Sequence, residues 1–224
     1  SELDGPSDAG LSSTGSLSGG LAGGGGDLGS GAGTGGGIGD GMGGGSGAGA
    51  NFFGVEAQGN RFAYIVDVSG SMGFGGKMDA LKAQLLRSVD SLTDTTQFVI
   101  YTFSDGADPI GGKKSWSEAT GENKRWARRH ISALTDVSGT NPLPAFQLVL
   151  ALRPRPDAIY FMTDGVFDRP EDAKEIAKIN RSPKIPIHCI SLMSPEAEDL
   201  MREIAKTSGG KYTLIETIHG GKLP

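Results

Sequence analysis

The stretch RFAYIVDVSGSM, residues 61–72, decides the reading of this chain. Phe62 to Val66 form an unbroken apolar run, as expected of a strand covered on both faces. The run is read as a strand over Phe62–Val68. Asp67, Ser69 and Ser71 then place a carboxylate and two hydroxyls on alternate residues. A chain that leaves a buried strand through three oxygen-bearing side chains, and then enters a helix, has built a turn with its oxygens pointing inward. Gly70 is expected to permit that turn through its backbone freedom.

Working outward, further short apolar runs fall at Gln97–Phe103, Ala158–Thr163, Ile185–Leu192 and Lys211–Ile215. Helical patterns lie between them. Met78, Leu81, Leu85, Val89 and Leu92 form one apolar stripe, and Ala197, Leu200, Met201, Ile204 and Ala205 form another. The latter helix is expected to begin at Ser194-Pro195 and to stop at Gly209-Gly210. Asp168 to Glu171 is read as another helix start with a capping box. Two more helices are expected over Glu122–Leu134 and Leu143–Leu152. Strands alternating with helices predict an α/β fold: a Rossmann-like, doubly wound, mostly parallel sheet of about six strands with helices on both faces. A short antiparallel edge strand is expected after Phe103. In such sheets ligands bind beyond the carboxyl ends of the strands, at the topological switch point.

Residues 1–50 differ sharply from the rest. They hold 22 of the 38 glycines, five acids and no Lys or Arg. Such a Gly/Ser-rich segment buries too little apolar surface to offset its ordering entropy, so it is read as a disordered linker. Residues 51–60 are read as a lead-in, 61–218 as the folded domain and 219–224 as a C-terminal tail. Because the formal charge of −5 equals the five acids of the linker, residues 51–224 are electrically balanced. That gives no footing for nucleic acid, whose binding leaves a basic footprint. The basic run Lys124 to His130 is read as the solvated face of a helix, with Trp126 and Trp116 available to a partner surface. No apolar run reaches the roughly 20 residues needed to span a bilayer, so this chain is not expected to insert. The compartment stays open, and the long tether leaves room for an anchor upstream. The single cysteine, Cys189, excludes an intrachain disulfide and is read as a buried thiol. His188, in the same apolar run, is read as a core histidine.

Three separated places offer oxygen at a strand end or helix start: Asp67, Ser69 and Ser71; Ser138-Gly139-Thr140-Asn141-Pro142; and Thr163-Asp164-Gly165. A doubly wound sheet brings all three to one rim. Two carboxylates and several hydroxyls, with no nitrogen or sulfur, make a set for a hard cation such as Mg²⁺. The order and spacing of Asp67-x-Ser69-x-Ser71, Thr140 and Asp164-Gly165 resemble the metal-ion-dependent adhesion site of von Willebrand factor type A domains, over about residues 53–216. The segment 51–72 also looks like bacterial proteins that carry such a domain after a membrane segment and a glycine-rich stretch.

The resemblance implies that Asp67, Ser69, Ser71, Thr140 and Asp164 hold Mg²⁺ or Mn²⁺, and that a protein partner supplies an acidic side chain as the remaining ligand. Met72, Phe74 and Asn141 are read as partner-contact residues beside the site. The chain is thus expected to be a metal-dependent protein-binding module for adhesion or complex assembly, and not an enzyme. The alternatives are a Mg²⁺-dependent phosphohydrolase with Asp67 as nucleophile, and a structural scaffold with a vestigial site. Loss of Asp67 is expected to abolish ion binding and to spare the fold.

Overall fold

A computed structural model of the chain describes residues 49–165 and 171–217. Gly49–Phe52 (β1) and Val55–Gln58 (β2) form an antiparallel hairpin. The strand at the centre of the sequence reading is Arg61–Asp67 (β3), and Lys77–Ser91 (α1) follows it. Next come Gln97–Phe103 (β4), Ala107–Pro109 (β5), Ser117–Glu118 (β6) and Gly121–Ser132 (α2). Leu143–Ala151 (α3), Ala158–Thr163 (β7) and Asp172–Ile179 (α4) precede Ile187–Leu192 (β8), Glu198–Ser208 (α5) and Tyr212–Ile215 (β9).

The sheet runs in the order β5-β4-β3-β7-β8-β9, and β6 also pairs with β4. The five longer strands are parallel, while β5 and β6 lie antiparallel to β4. The fold class and the antiparallel strand after Phe103 therefore stand as expected. On β3, Phe62, Tyr64 and Val66 face a core shared with α1, α2 and the hairpin, whereas Ala63 and Ile65 face α3, α4 and α5. This strict alternation follows from the pleat. After β3 the chain turns to the first face, and after β7 to the second. The crevice between these two strand ends is the switch point.

Within the segment read as a lead-in, 51–60, and the two residues before it, the chain forms this hairpin. Phe53 and Gly54 form its two-residue loop, with φ of 51° and 77°, the left-handed pair that matches the twist of a hairpin. Phe53 accepts this uncommon backbone because its ring is buried edge-on against Phe52, at a centroid distance of 4.8 Å. Phe52 in turn packs edge-on against Tyr64 and Tyr160. The Tyr160 hydroxyl donates to the carbonyls of Ala50 at 2.7 Å and Val55 at 3.0 Å, tying the hairpin to β7. The linker over 1–48, the helix start at Asp168–Pro170 and the tail over 219–224 lie outside the described residues.

Other details sharpen the sequence reading. The helix expected from Ser194 begins at Glu198, because the Glu198 N–H first closes a turn on the Pro195 carbonyl. It does stop at Gly209, whose φ is 85°. The basic run on α2 is partly engaged: Lys124 Nζ donates to the carbonyls of Asp90 and Leu92, and Arg128 pairs with Asp90 at 2.6 Å. These contacts cap the C-terminal end of α1, where cations are favoured. Trp126 packs against the core with Lys113 over its ring, and Trp116 Nε1 donates to the Pro154 carbonyl, so both serve the fold. His188 is the expected core histidine. Its Nδ1 accepts from the Lys211 N–H at 3.2 Å, and burial lowers its pKa. Cys189 is buried and its thiol pKa is pushed up by desolvation.

If the hairpin belongs to the domain, Tyr160→Phe should lower the unfolding free energy by about 1–2 kcal/mol, since two buried carbonyls lose their donor. Urea denaturation checks this, and an unchanged midpoint would place the hairpin outside the cooperative unit.

Candidate metal centre

The three oxygen-bearing segments meet at the carboxyl end of the sheet. Asp67 ends β3 and is fully buried. One of its oxygens, Oδ1, accepts from the Ser69 N–H at 2.6 Å, and Oδ2 accepts from the Thr163 hydroxyl at the end of β7. The carboxylate therefore clamps its own loop and the neighbouring strand together. Burial pushes its pKa up, against the opposing pull of these hydrogen bonds.

Beyond Asp67 the chain enters a single 3-10 turn over Gly70–Gly73, with the Met72 N–H bonded to the Ser69 carbonyl at 2.9 Å. This turn brings the Ser69 and Ser71 hydroxyls to 3.1 Å of each other. Gly70 is not in the left-handed region, and a β-carbon there would meet open space, so its expected role in the turn is corrected. The left-handed positions are Gly75 and Gly76, at the entry to α1. Ser71 Oγ donates to Asp164 Oδ1 at 2.7 Å, joining the β3 loop to the β7 loop across the crevice.

The Thr140 segment is stitched to the same rim. Val137 N–H donates to the Val68 carbonyl at 2.7 Å, and Asn141 N–H to the Ser104 carbonyl at 2.6 Å. Gly139 is needed between them: its φ is 94°, and a β-carbon would fall 1.8 Å from Asp105 Oδ1. Thr140 then reaches the Asp164 loop, as Gly165 shows. A β-carbon on Gly165 would lie 3.8 Å from the Thr140 methyl and 3.9 Å from Ser71 Oγ. All five expected ligand residues thus gather around one crevice.

Two of the three expected partner-contact residues are placed differently. Met72 is fully buried in the core beneath the turn, because the 3-10 geometry points it inward. Asn141 is half-buried and caps α3, its Oδ1 accepting from the Leu143 N–H at 3.3 Å. Phe74 is 74% exposed, as a contact residue needs to be.

One site residue has no role in the sequence reading. Lys77, the first residue of α1, sets its ammonium 2.6 Å from Asp164 Oδ2. A cation at a helix N-terminus opposes the helix dipole. Its position there was the available signal that a carboxylate waits nearby. The ammonium also tests the donor set, because it occupies the crevice as a stand-in cation. Its partner Asp164 accepts from the Ser71 hydroxyl, which lies beside that of Ser69, and this run of oxygens fits a hard divalent ion. Both Asp67 oxygens already accept hydrogen bonds from the protein, which suits an orienting role or one through water. Among the described residues no group of three or more His, Cys, Asp or Glu could hold a metal. Any ion here would depend on hydroxyls.

The comparisons with known proteins agree with this architecture. A family model described as von Willebrand factor type A domain matches residues 60–214. No curated protein matches the sequence. Among solved structures, a von Willebrand factor type A protein from Catenulispora acidiphila superposes with a TM-score of 0.63 at 20% identity, covering 75% of this chain and 40% of that one. The conserved hypothetical protein BatB from Bacteroides thetaiotaomicron gives 0.57 at 17% identity, with 71% and 92% covered. Proximal thread matrix protein 1 from the mussel byssus, in a form with a zinc-occupied MIDAS motif, gives 0.56 at 19% identity, with 69% and 41% covered. At these identities the likeness concerns the fold.

The buried clamp revises the expectation that losing Asp67 spares the fold. Asp67→Ala leaves the Ser69 N–H and the Thr163 hydroxyl without their acceptor. It should lower stability by on the order of 2 kcal/mol. Urea unfolding in chelator measures it, and an unaltered midpoint would refute the clamp.

Proposed function

We propose, from the premise that this chain belongs to the von Willebrand factor type A family, that it is a protein-binding module whose rim holds Mg²⁺ or Mn²⁺ and captures an acidic side chain of its partner. Domains of this family bind a divalent metal at this kind of site and mediate protein–protein interactions, typically without enzymatic activity. The observation that carries the finer reading is the oxygen chain across the crevice, Ser69 to Ser71 at 3.1 Å and Ser71 to Asp164 at 2.7 Å, with Thr140 beside it. In this reading the hydroxyls of Ser69, Ser71 and Thr140 and the Asp164 carboxylate hold the ion. Asp67 orients the loop. When bound, the ion supplies an open position for an outside carboxylate.

Electrostatics support a requirement for the ion. Asp67 and Asp164 sit in the crevice, with Asp105 against Gly139 and Asp136 against Gly73 at its edge. Lys77 is the ammonium that pairs there. A rim of this sign repels a carboxylate until a dication reverses the local field. Contact area surrounds the site as well. Phe74, Val137 and Met193 are three of the four exposed large hydrophobics among the described residues. Phe74 follows the 3-10 turn, Val137 bridges to Ser69, and the Met193 methyl lies 3.8 Å from where a β-carbon on Gly75 would stand. A central charged ligand inside an apolar collar suits a protein partner.

The phosphohydrolase reading finds no support at Asp67, because its oxygens are buried and already accept two hydrogen bonds. No helix among the described residues is long and apolar enough to cross a membrane. Adhesion and tethering through an upstream anchor remain part of the proposal, motivated by the Gly-rich segment.

Ser71→Ala removes the bridging hydroxyl, so Mn²⁺ affinity by calorimetry should fall at least about tenfold, or 1.4 kcal/mol, with the fold retained. A peptide selection against Mn²⁺-loaded protein should enrich Glu- or Asp-containing sequences, and Phe74→Ala should weaken their capture without changing ion affinity. Enrichment of peptides lacking any acid, or unchanged Mn²⁺ affinity in Ser71→Ala, would contradict the proposal.

A further inference from the structure

A second concave site lies at the opposite end of the sheet. It is a cleft of about 600 Å³ lined by Arg61, Arg153, Arg155, Asp157, Ser182 and Pro183, among others. Arg61 opens β3, and Asp157 stands just before β7. The cleft is therefore separated from the metal centre by the length of β3, roughly 20 Å at about 3.3 Å per residue. Its walls are two loops of matching chemistry, RPRPD over 153–157 and NRSPK over 180–184.

The three guanidinium groups are held in place, mostly by backbone carbonyls. Arg155 Nη1 donates to the carbonyls of Ser182 at 2.9 Å and Pro183 at 3.0 Å. Arg153 Nη1 donates to the carbonyls of Leu150, Ala151 and Leu152 at the end of α3. Arg61 Nε donates to the Arg155 carbonyl at 2.9 Å, while its Nη2 pairs with Asp157 at the same distance. Asp157 thus offsets one of the three positive charges. Among the described residues Arg153 and Arg155 have no carboxylate partner, and burial, with the nearby Arg153 charge adding to it, lowers the pKa of Arg155. The Arg155 Nε–H is buried and unpaired. A buried donor left unsatisfied is costly, and like charges held together add to that cost. Neither is explained by a purely structural role, in which a carboxylate or a carbonyl would fill the gap.

An oxyanion in the cleft answers the crowding of like charge. Carbonyl anchors fix each arginine through a single nitrogen and leave other N–H groups uncommitted. Planar guanidinium forks fit phosphate geometry and keep their charge at any working pH. The cleft exceeds what a single tetrahedral ion needs and falls within the range of small-ligand sites. We propose that this cleft is an oxyanion-binding site that takes a phosphate group, free or as a monoester, between Arg153, Arg155 and Arg61. The assignment is independent of the metal centre, and the two sites give the sheet an acidic rim at one end and a basic cleft at the other.

The test uses the full chain in chelator, so that phosphate cannot report on a bound dication. Inorganic phosphate and phenyl phosphate are titrated at constant ionic strength against chloride, with binding read by amide NMR and calorimetry. Saturable binding with a Kd of about 1 mM or tighter, and shifts confined to Arg61 with its neighbours and to 153–157 and 180–185, are expected. Tighter binding of the ester would assign the group to an organic phosphate, and preference for the inorganic ion would assign it to free phosphate; either supports the cleft. Arg155→Lys should weaken binding at least tenfold. Because Arg155 also ties two loops together, Arg153→Gln provides a second variant with the same expectation. Ser71→Ala should bind phosphate as the parent does, which separates this proposal from the metal reading. No saturable binding by the parent chain, shifts centred away from Arg61 and the two loops, or undiminished binding in a folded Arg153→Gln would overturn it.

Discussion

The buried carboxylate of Asp67 is the constraint on which the rim depends. A charge withdrawn from water must be compensated, and here the Ser69 N–H and the Thr163 hydroxyl do so from two different strand ends. That compensation draws β3 and β7 together at the switch point and fixes the direction in which the 3-10 turn leaves the sheet. The turn aims Ser69 and Ser71 into the crevice and Met72 into the core. Asp164 inherits its position from the same arrangement, because it directly follows Thr163. A single electrostatic requirement thus sets the geometry of most of the centre.

The remaining member, Thr140, is positioned by backbone alone. The segment 137–141 runs alongside the ends of β3 and β4, held by main-chain bonds to Val68 and Ser104, with Gly139 as its point of closest approach to Asp105. Rigid strand ends therefore carry the carboxylates, while loops stitched to them carry the hydroxyls. This division leaves the rim adaptable at its edge, where Phe74, Val137 and Met193 face solvent, and firm at its centre.

Much of this was legible in the sequence. Both-face apolar runs such as Phe62–Val66 could only be strands of a covered sheet, and the placing of Asp67, Thr140 and Asp164 at strand ends or a helix start implied a common rim. What escaped had physical reasons. The hairpin over Gly49–Gln58 hid because Phe53 adopts a left-handed backbone that only its burial makes tolerable. Met72 looked like a loop residue because a 3-10 turn changes side-chain direction within three residues. Lys77 had no place in that reading, although its charge at the start of α1 opposes the helix dipole. The arginine cleft was invisible because charge balance over 51–224 conceals that Arg61, Arg153 and Arg155, nearly a hundred residues apart at the extremes, converge at one end of the sheet.

The account is tested most directly by where a paramagnetic ion settles. With substoichiometric Mn²⁺, amide signals of residues 69–71, 140–141 and 164–165 should broaden first and together, and excess Mg²⁺ should restore them. Broadening that spared any of these three segments, or that spread over exposed acids elsewhere in the domain, would contradict the claim that they jointly cradle one divalent cation.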